Sequence, residues 1–275
     1  MAAAGVSTVT CTRGGLTWRV PVGDAHIGFG LFVDGGFEQD KITALLTWLS
    51  ARGRAPGPDD VVVDIGANIG STSIVMARAR GCRVLAIEPA HANFELLRDN
   101  VELNDLQERV MLVHAAVMPS RGTVMVEAGD DIGAAAVRSA TESGPPAVGG
   151  AAVTTAAGMP LADALSLAAV LPSEVSLVWA DVQGSETTVI NTGADLWERG
   201  VPLWAEYEPG LLARHGGVEA FFAAAGTHFD RFIEARDLLT RGAAAVPQST
   251  ARLAEVLSRE PLQTDVLLLP ARFQS

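Results

Sequence analysis

A glycine-spaced turn and a short series of acids carry the residues of this chain that could do chemistry. The stretch Val61-Val-Val-Asp-Ile-Gly-Ala-Asn-Ile-Gly70 runs three valines into Asp64 and then into a loop holding Gly66, Asn68 and Gly70. Such a run reads as a buried strand, a tight turn and a helix start, a unit that brings bare backbone against a small ligand. Asp64 at the strand tip would repel a dinucleotide phosphate and would accept hydrogen bonds from an ammonium. Glu88, followed by Pro89, lies roughly 20 residues beyond the loop, where an acid in this kind of fold accepts both hydroxyls of a ribose. A third cluster, Asp181-Val-Gln-Gly-Ser-Glu186, and a fourth, Glu206 with Glu208, follow at the ends of later apolar runs. Each feature has a plainer alternative. The glycines can serve turn geometry alone, Glu88 can favour a helix start, and Asp181 can cap the helix after it.

Taken together, the loop and Glu88 suit either a nicotinamide dinucleotide or S-adenosylmethionine (SAM). SAM is a net cation at its sulfonium and ammonium, so an acidic mouth suits it. The loop has Asn68 where a dinucleotide fingerprint has glycine. A dehydrogenase would more naturally carry a His or Lys acid–base group at the position of Asp181. If the reaction is methyl transfer to a hydroxyl, Asp181 is the best-placed base, with Glu206 beside it. An unperturbed aspartate, with a pKa of about 3.9, is a feeble base unless burial raises it. Clustered acids could raise one another or bind Mg²⁺, which would acidify a bound hydroxyl.

These residues need elements to position them. The apolar spacing predicts strands at Val61–Ile65, Arg83–Ile87, Val110–Val113, Ser176–Ala180 and Leu203–Tyr207. It predicts helices over Glu38–Ala51, from Ser71 to Arg80, over Asn93–Asn104, from Ser185 to Gly193 and over Leu211–Ala225. Phe229–Glu234 and Thr264–Leu269 read as closing strands that pair antiparallel at one edge. This alternation argues for a doubly wound, mostly parallel α/β sheet with helices on both faces. We expect one domain over residues 1–275. Residues 1–60 form an N-terminal extension of short strands and turns plus one helix. Residues 117–174 form an insertion in which only Thr123–Glu127 reads as strand. Within it, residues 128–160 are about half Ala and Gly, either a lid or an insertion without a role.

The net charge of −12 disfavours duplex nucleic acid and anionic membrane as partners. No apolar run approaches the ~20 residues of a spanning helix. The start lacks a leader pattern, and Cys11 and Cys82 show no metal or redox spacing. Cytoplasmic residence follows as the expectation. The five histidines form no ligand pattern. Trp179, Trp204 and Tyr207 either line an acceptor site or simply pack the core.

The motif set resembles the FkbM family of SAM-dependent methyltransferases. It comprises Val63-Asp-Ile-Gly-Ala-Asn-Ile-Gly70, Ile87-Glu-Pro89, Asn93-Phe-x-x-Leu97, Asn100-x-x-x-Asn104, Asp181-Val-Gln-Gly-x-Glu186 and Glu206, preceded by Gly36-Phe-Glu38. The resemblance runs from about Gly35 to Pro209. It implies a class I methyltransferase fold with a seven-stranded sheet, SAM as cofactor, and transfer to a hydroxyl of a sugar or secondary metabolite. It assigns Asp64, Gly66, Ala67, Asn68 and Gly70 to the methionine end of SAM, and Glu38 to its ammonium. It assigns Glu88 to the ribose, Pro89 and Asn93 to the adenine side, with Ala115 and Ala116 bordering the adenine. Asp181, Gln183 and Gly184 face the methyl group. Two departures stand out. Gln183 occupies a position where many members carry Glu, and the usual Thr-Leu-Asp is loosened to Met159-Pro-Leu-Ala-Asp163. A nicotinamide-dependent oxidoreductase and a non-catalytic SAM-binding module are the alternatives. Acceptor identity and oligomeric state have no motif.

Overall fold

The computed structural model describes residues 7–127, 129, 135–139, 153–259 and 263–273. The N-terminal part is a hairpin, β1 (Thr8–Arg13) and β2 (Leu16–Pro21), then two helices, α1 (Ile27–Val33) and α2 (Gln39–Ser50). The core begins at β3 (Val61–Ile65), whose five residues are all buried. It continues through α3 (Ser71–Arg80), β4 (Arg83–Ile87), α4 (His91–Leu103) and β5 (Val110–Val113). Four strands and one short helix follow before the core resumes. They are β6 (Ala115–Val117), β7 (Gly122–Glu127), β8 (Ala136–Ser139) and β9 (Val153–Met159), with α5 (Leu161–Leu167) after them. The core then runs β10 (Val175–Ala180), α6 (Glu186–Thr192), α7 (Ala194–Glu198), β11 (Leu203–Tyr207), α8 (Pro209–Leu212) and α9 (Gly217–His228). It ends with β12 (Arg231–Glu234), α10 (Ala235–Arg241), β13 (Gln248–Ser249), α11 (Leu253–Leu257) and β14 (Thr264–Leu269).

The main sheet has the order β13-β12-β14-β11-β10-β3-β4-β5. β3, β4, β5, β10 and β11 are parallel, and β14 runs antiparallel to both its neighbours, β11 and β12. This is the expected doubly wound sheet of seven strands with a two-residue edge strand added, which makes eight. The closing pair is antiparallel as expected, but β14 lies inside the sheet rather than at its edge. The strands alternate their buried faces. Val62, Val84, Trp179 and Leu267 meet Ile42 of α2, Ile74 of α3 and Leu97 of α4. Val63, Leu85 and Val178 meet Leu161 of α5, Val189 of α6 and Phe221 of α9.

Three local differences from the sequence reading have physical causes. α1 forms where only strands and turns are expected. Its Gly28 and Gly30 weaken helix propensity, and burial of Ile27 and Leu31 on one face supplies what propensity does not. The expected helix over Leu211–Ala225 is broken at Gly216 and Gly217, both at positive φ. Residues 117–174 are not a structureless insertion. β6, β7, β8 and β9 form a second sheet, ordered β6-β9-β7-β8. Between Val153 and Met159, β9 is built from Thr, Ala and Gly, which give no apolar alternation, so pairing rather than pattern defines it. Much of the Ala- and Gly-rich stretch, expected as either a lid or an insertion without a role, lies outside the described residues (128, 130–134 and 140–152).

The hairpin is tied to the core by two asparagines of α4. Asn100 is fully buried. Its Oδ1 accepts from the Arg19 amide at 2.6 Å, and its Nδ2 donates to the carbonyls of Arg19 at 3.2 Å and Ile69 at 2.9 Å. Asn104 makes the matching pair with Thr17, accepting at 2.9 Å and donating at 2.7 Å. Asn100 therefore joins hairpin, helix and glycine loop at one point. Replacing it by Ala takes this partner from the half-buried amide and carbonyl of Arg19 and from the buried carbonyl of Ile69. We expect Asn100→Ala to lower stability by about 2–3 kcal/mol, measured by urea unfolding, with amide exchange rising first in β1 and β2.

Candidate active site

Backbone geometry gathers the sequence motifs at the carboxyl ends of β3, β4 and β10, where open α/β sheets bind ligands. β3 ends in Gly66 at φ 83. A Cβ there would sit 1.8 Å from the carbonyl oxygen of Asp181, so the loops after β3 and β10 touch through this glycine. Asn68 follows at φ 51, and Gln183 and Glu38 hold φ of 52 and 56. These are three of the five described non-glycine residues in the left-handed region; Asn68 and Gln183 line the cleft described next, and Glu38 lines the hollow beside it. Concentrated backbone strain of this kind marks functional sites.

The cleft is open to solvent and spans about 550 Å³ of space not filled by protein atoms. One side is polar, with Gly66, Asn68, Glu88, Asn93, Asp181 and Gln183. The other is apolar, with Pro89, Ala115, Ala116 and Val117 from the core side and Val137 from β8 of the second sheet. Glu88 is held rigidly. Its two carboxylate oxygens accept from the amides of Ala90 at 2.7 Å and Asn68 at 2.9 Å. It is only 4% exposed, and burial pushes its carboxyl up to about 7 against those two hydrogen bonds. A smaller hollow adjoins the cleft and shares Gly66, Asn68 and Asp181 with it. It adds Glu38, Ala67, Ser71, Thr72, Ile27 and Trp179.

The expected site residues thus fall into three groups. Gly66, Asn68, Glu88, Pro89, Asn93, Ala116, Asp181 and Gln183 line the main cleft, and Glu38 and Ala67 line the hollow. Asp64, Gly70 and Glu206 line neither. Asp64 is 1% exposed and accepts a 2.5 Å hydrogen bond from Ser73 Oγ of α3. Burial pushes it up to about 7, a shift that hydrogen bonding to Ser73 limits. Gly70 starts α3, and a Cβ there would meet Leu97 at 2.8 Å, so its freedom serves packing. Val137, Ser71 and Thr72 are lining residues that the sequence reading did not select, and Trp179, which it left between acceptor lining and core, lines the hollow. Trp179 stacks on Trp204 at 4.9 Å, so it serves both core and hollow. Tyr207 packs against Phe222 in the core.

Behind the rim lies a carboxyl network. Gln183 Nε2 donates to Asp181 Oδ1 at 2.9 Å and to Glu206 Oε2 at 3.3 Å. Gln263 donates to the other oxygen of Glu206. Burial, and then the charge of Asp181, push Glu206 up to about 10, so it holds its proton at neutral pH. Gln183 thus donates to both facing carboxyl groups. Asp181, Glu186 and Glu206 bring one oxygen each within 4.8 Å. Glu186 uses its oxygen on the amides of Val182 at 3.0 Å and Gly184 at 3.4 Å, so this trio is a loop cap beside a carboxyl pair and carries no metal assignment.

The sequence profile of the methyltransferase FkbM domain matches residues 64–241. The chain belongs to the FkbM methyltransferase family. No curated protein matches the chain. Among solved structures it is similar to TYW2 from P. horikoshii in complex with MeSAdo, with 12% identity, a TM-score of 0.48, and coverage of 96% of this chain and 70% of that one. It is also similar to TYW2 from M. jannaschii in complex with AdoMet, at 12% identity and a TM-score of 0.46, covering 96% and 85%. The FkbM family membership rests on the profile, and the strand order speaks for the fold by itself. Among the described residues, no helix is long and apolar enough to cross a membrane.

Proposed function

We propose that this FkbM family protein transfers a methyl group from SAM to a hydroxyl of a small molecule. The observation that carries the reading is the convergence on one cleft of a backbone-clamped acid, Glu88, a glycine loop and an apolar slot, with Asp181 at the far rim. The residues fit the donor. Ala115, Ala116, Val117 and Pro89 suit a flat adenine ring. Glu88 keeps lone pairs for a diol after accepting two amides. Glu38 and Asp181 suit a cation. When bound, SAM would supply a methyl group activated by its sulfonium. The chain's own residues do the rest. The cleft walls orient acceptor and donor, and positioning alone can supply much of the rate. Asp181 Oδ accepts the proton of the acceptor hydroxyl. Protonated Glu206, joined to Asp181 through Gln183, keeps a second negative charge away from that rim. The net charge of −12 supports a neutral or cationic small acceptor over a nucleic acid, and two unpaired cysteines support a reducing compartment.

The test is thermal shift with SAM, S-adenosylhomocysteine and NADH in parallel, then radiolabelled SAM with pools of hydroxylated metabolites, with and without EDTA. The methyltransferase reading expects a rise in Tm with both adenosyl compounds and label in a base-stable ether. A shift with NADH alone would reinstate the oxidoreductase alternative. Tight SAM binding with no labelled product from any hydroxylated pool would favour a binding module.

A further inference from the structure

Lys41 has no part in the reading above, yet it is the only lysine among the 20 Lys and Arg residues of the chain. It lies in the first turn of α2, and its ammonium is 2.5 Å from Glu38 Oε1 and 2.6 Å from Asp265 Oδ2 of β14. Glu38 immediately precedes α2 in a left-handed conformation, φ 56 and ψ 17, and its side chain caps no helix amide. An N-terminal acid would ordinarily turn onto the free amides of the helix. Here it is drawn away to Lys41 and to the hollow that it shares with Gly66, Asn68 and Asp181. We propose that Lys41 is a positioning residue for the methyl donor: clamped between Glu38 and Asp265, it fixes the Glu38 carboxylate where the ammonium end of the donor lies. This rests on the SAM reading above.

The surroundings define what the clamp must overcome. Asp265 on β14 stands opposite Glu206 on β11, and Asp181 closes the same side from β10. α3 contributes only the hydroxyl residues Ser71 and Thr72 to the hollow, its Arg78 and Arg80 lying two turns further on. α10 also packs on α2; it carries Arg236, Asp237 and Arg241, and the last two pair with each other at 3.3 Å. Burial pushes Glu38 up to about 7, Asp265 and Asp181 push the same way, and Lys41 opposes them. Burial disfavours the Lys41 cation, but Asp265 and Glu38 outweigh it and hold the ammonium above its usual range. The sign follows. A carboxyl titrating near neutrality takes up its proton as pH falls, and a cationic ligand then loses its partner. Without Lys41 that loss moves to higher pH.

The experiment is calorimetric titration with S-adenosylhomocysteine, which keeps the ammonium, at about pH 6, 7.5 and 8.5. Wild type should weaken about tenfold from the highest to the lowest pH, one pH unit of protonation being tenfold. Lys41→Met should be about tenfold weaker at pH 7.5 and recover most of that loss at pH 8.5. Lys41→Arg should follow wild type, and Glu38→Gln should be weak at every pH. A Lys41→Met protein that equals wild type, or that is weaker by one factor at all three pH values, overturns the proposal. A ligand-free readout uses the uniqueness of the residue. Reductive ¹³C-methylation gives Lys41 its own NMR signal, expected to inflect near pH 7 and to lose that inflection in Glu38→Gln. Binding without the inflection sinks the role of Lys41 alone. An inflection without any binding sinks the donor reading and the positioning role with it.

Discussion

Gly66→Ala is expected to yield insoluble protein, or protein whose Tm is lower by about 10 °C. The added Cβ would lie 1.8 Å from the carbonyl oxygen of Asp181 and 2.9 Å from its carbonyl carbon. Both are backbone atoms, so no rotamer change relieves the contact. The loops after β3 and β10 would have to part, and parallel pairing from Val61 to Ile65 on one strand and Val175 to Ala180 on the other leaves them little room. Positive φ adds its own cost of about 1 kcal/mol. A total of about 4 kcal/mol corresponds to the stated Tm change in a domain of this size. Gly53→Ala is the control. Gly53 has φ 64, but nothing lies within 4 Å of its added Cβ, so its Tm should fall by only a few degrees. Equal Tm for Gly66→Ala and wild type in a thermal melt would show that the two loops are not in contact.

The second large effect is expected at Glu88. Glu88→Ala should weaken S-adenosylhomocysteine binding about 100-fold by calorimetry, because charge-assisted hydrogen bonds to a diol are worth roughly 1.5–3 kcal/mol. Glu88→Gln should lose about tenfold, since one carbonyl oxygen remains. Folding should suffer less than binding. The amides of Asn68 and Ala90 lose their acceptor, but a buried acid whose carboxyl is pushed up to about 7 is also removed. Binding of Glu88→Ala within twofold of wild type would mean that the ribose does not lie here.

Much of this architecture is legible in the sequence because buried parallel strands read as unbroken apolar runs. Val61–Ile65, Arg83–Ile87 and Val110–Val113 coincide with strands to the residue. The second sheet is illegible for the opposite reason, since β9 reads Val-Thr-Thr-Ala-Ala-Gly-Met and its exposed and buried positions carry similar residues. Within the site, Glu88 and Asp181 are legible because each directly follows its strand and so stands at the rim. Asp64 is harder. It is the fourth of five strand residues and shares a face with Val62, so the pleat turns it under α3 onto Ser73. Strand parity gives the face of a side chain but not its distance from the rim. Asn100 and Asn104 are visible as a pair on one helix face, but what they hold is a hairpin some 80 residues earlier. Lys41 could have been found by counting, yet its partner Asp265 belongs to a strand more than 200 residues away.

The placement of β14 between β11 and β12 bears on how the protein is made. A chain leaving the ribosome presents Glu38 and Lys41 early, and strands of the parallel set soon after, as translation proceeds at ~5–20 residues per second. Asp265 arrives more than ten seconds later on that scale. Until then a slot stays open in the middle of the sheet, the lysine has one acid instead of two, and Glu206 lacks the neighbour from Gln263. The central sheet therefore closes only when this last strand inserts between two strands made before it.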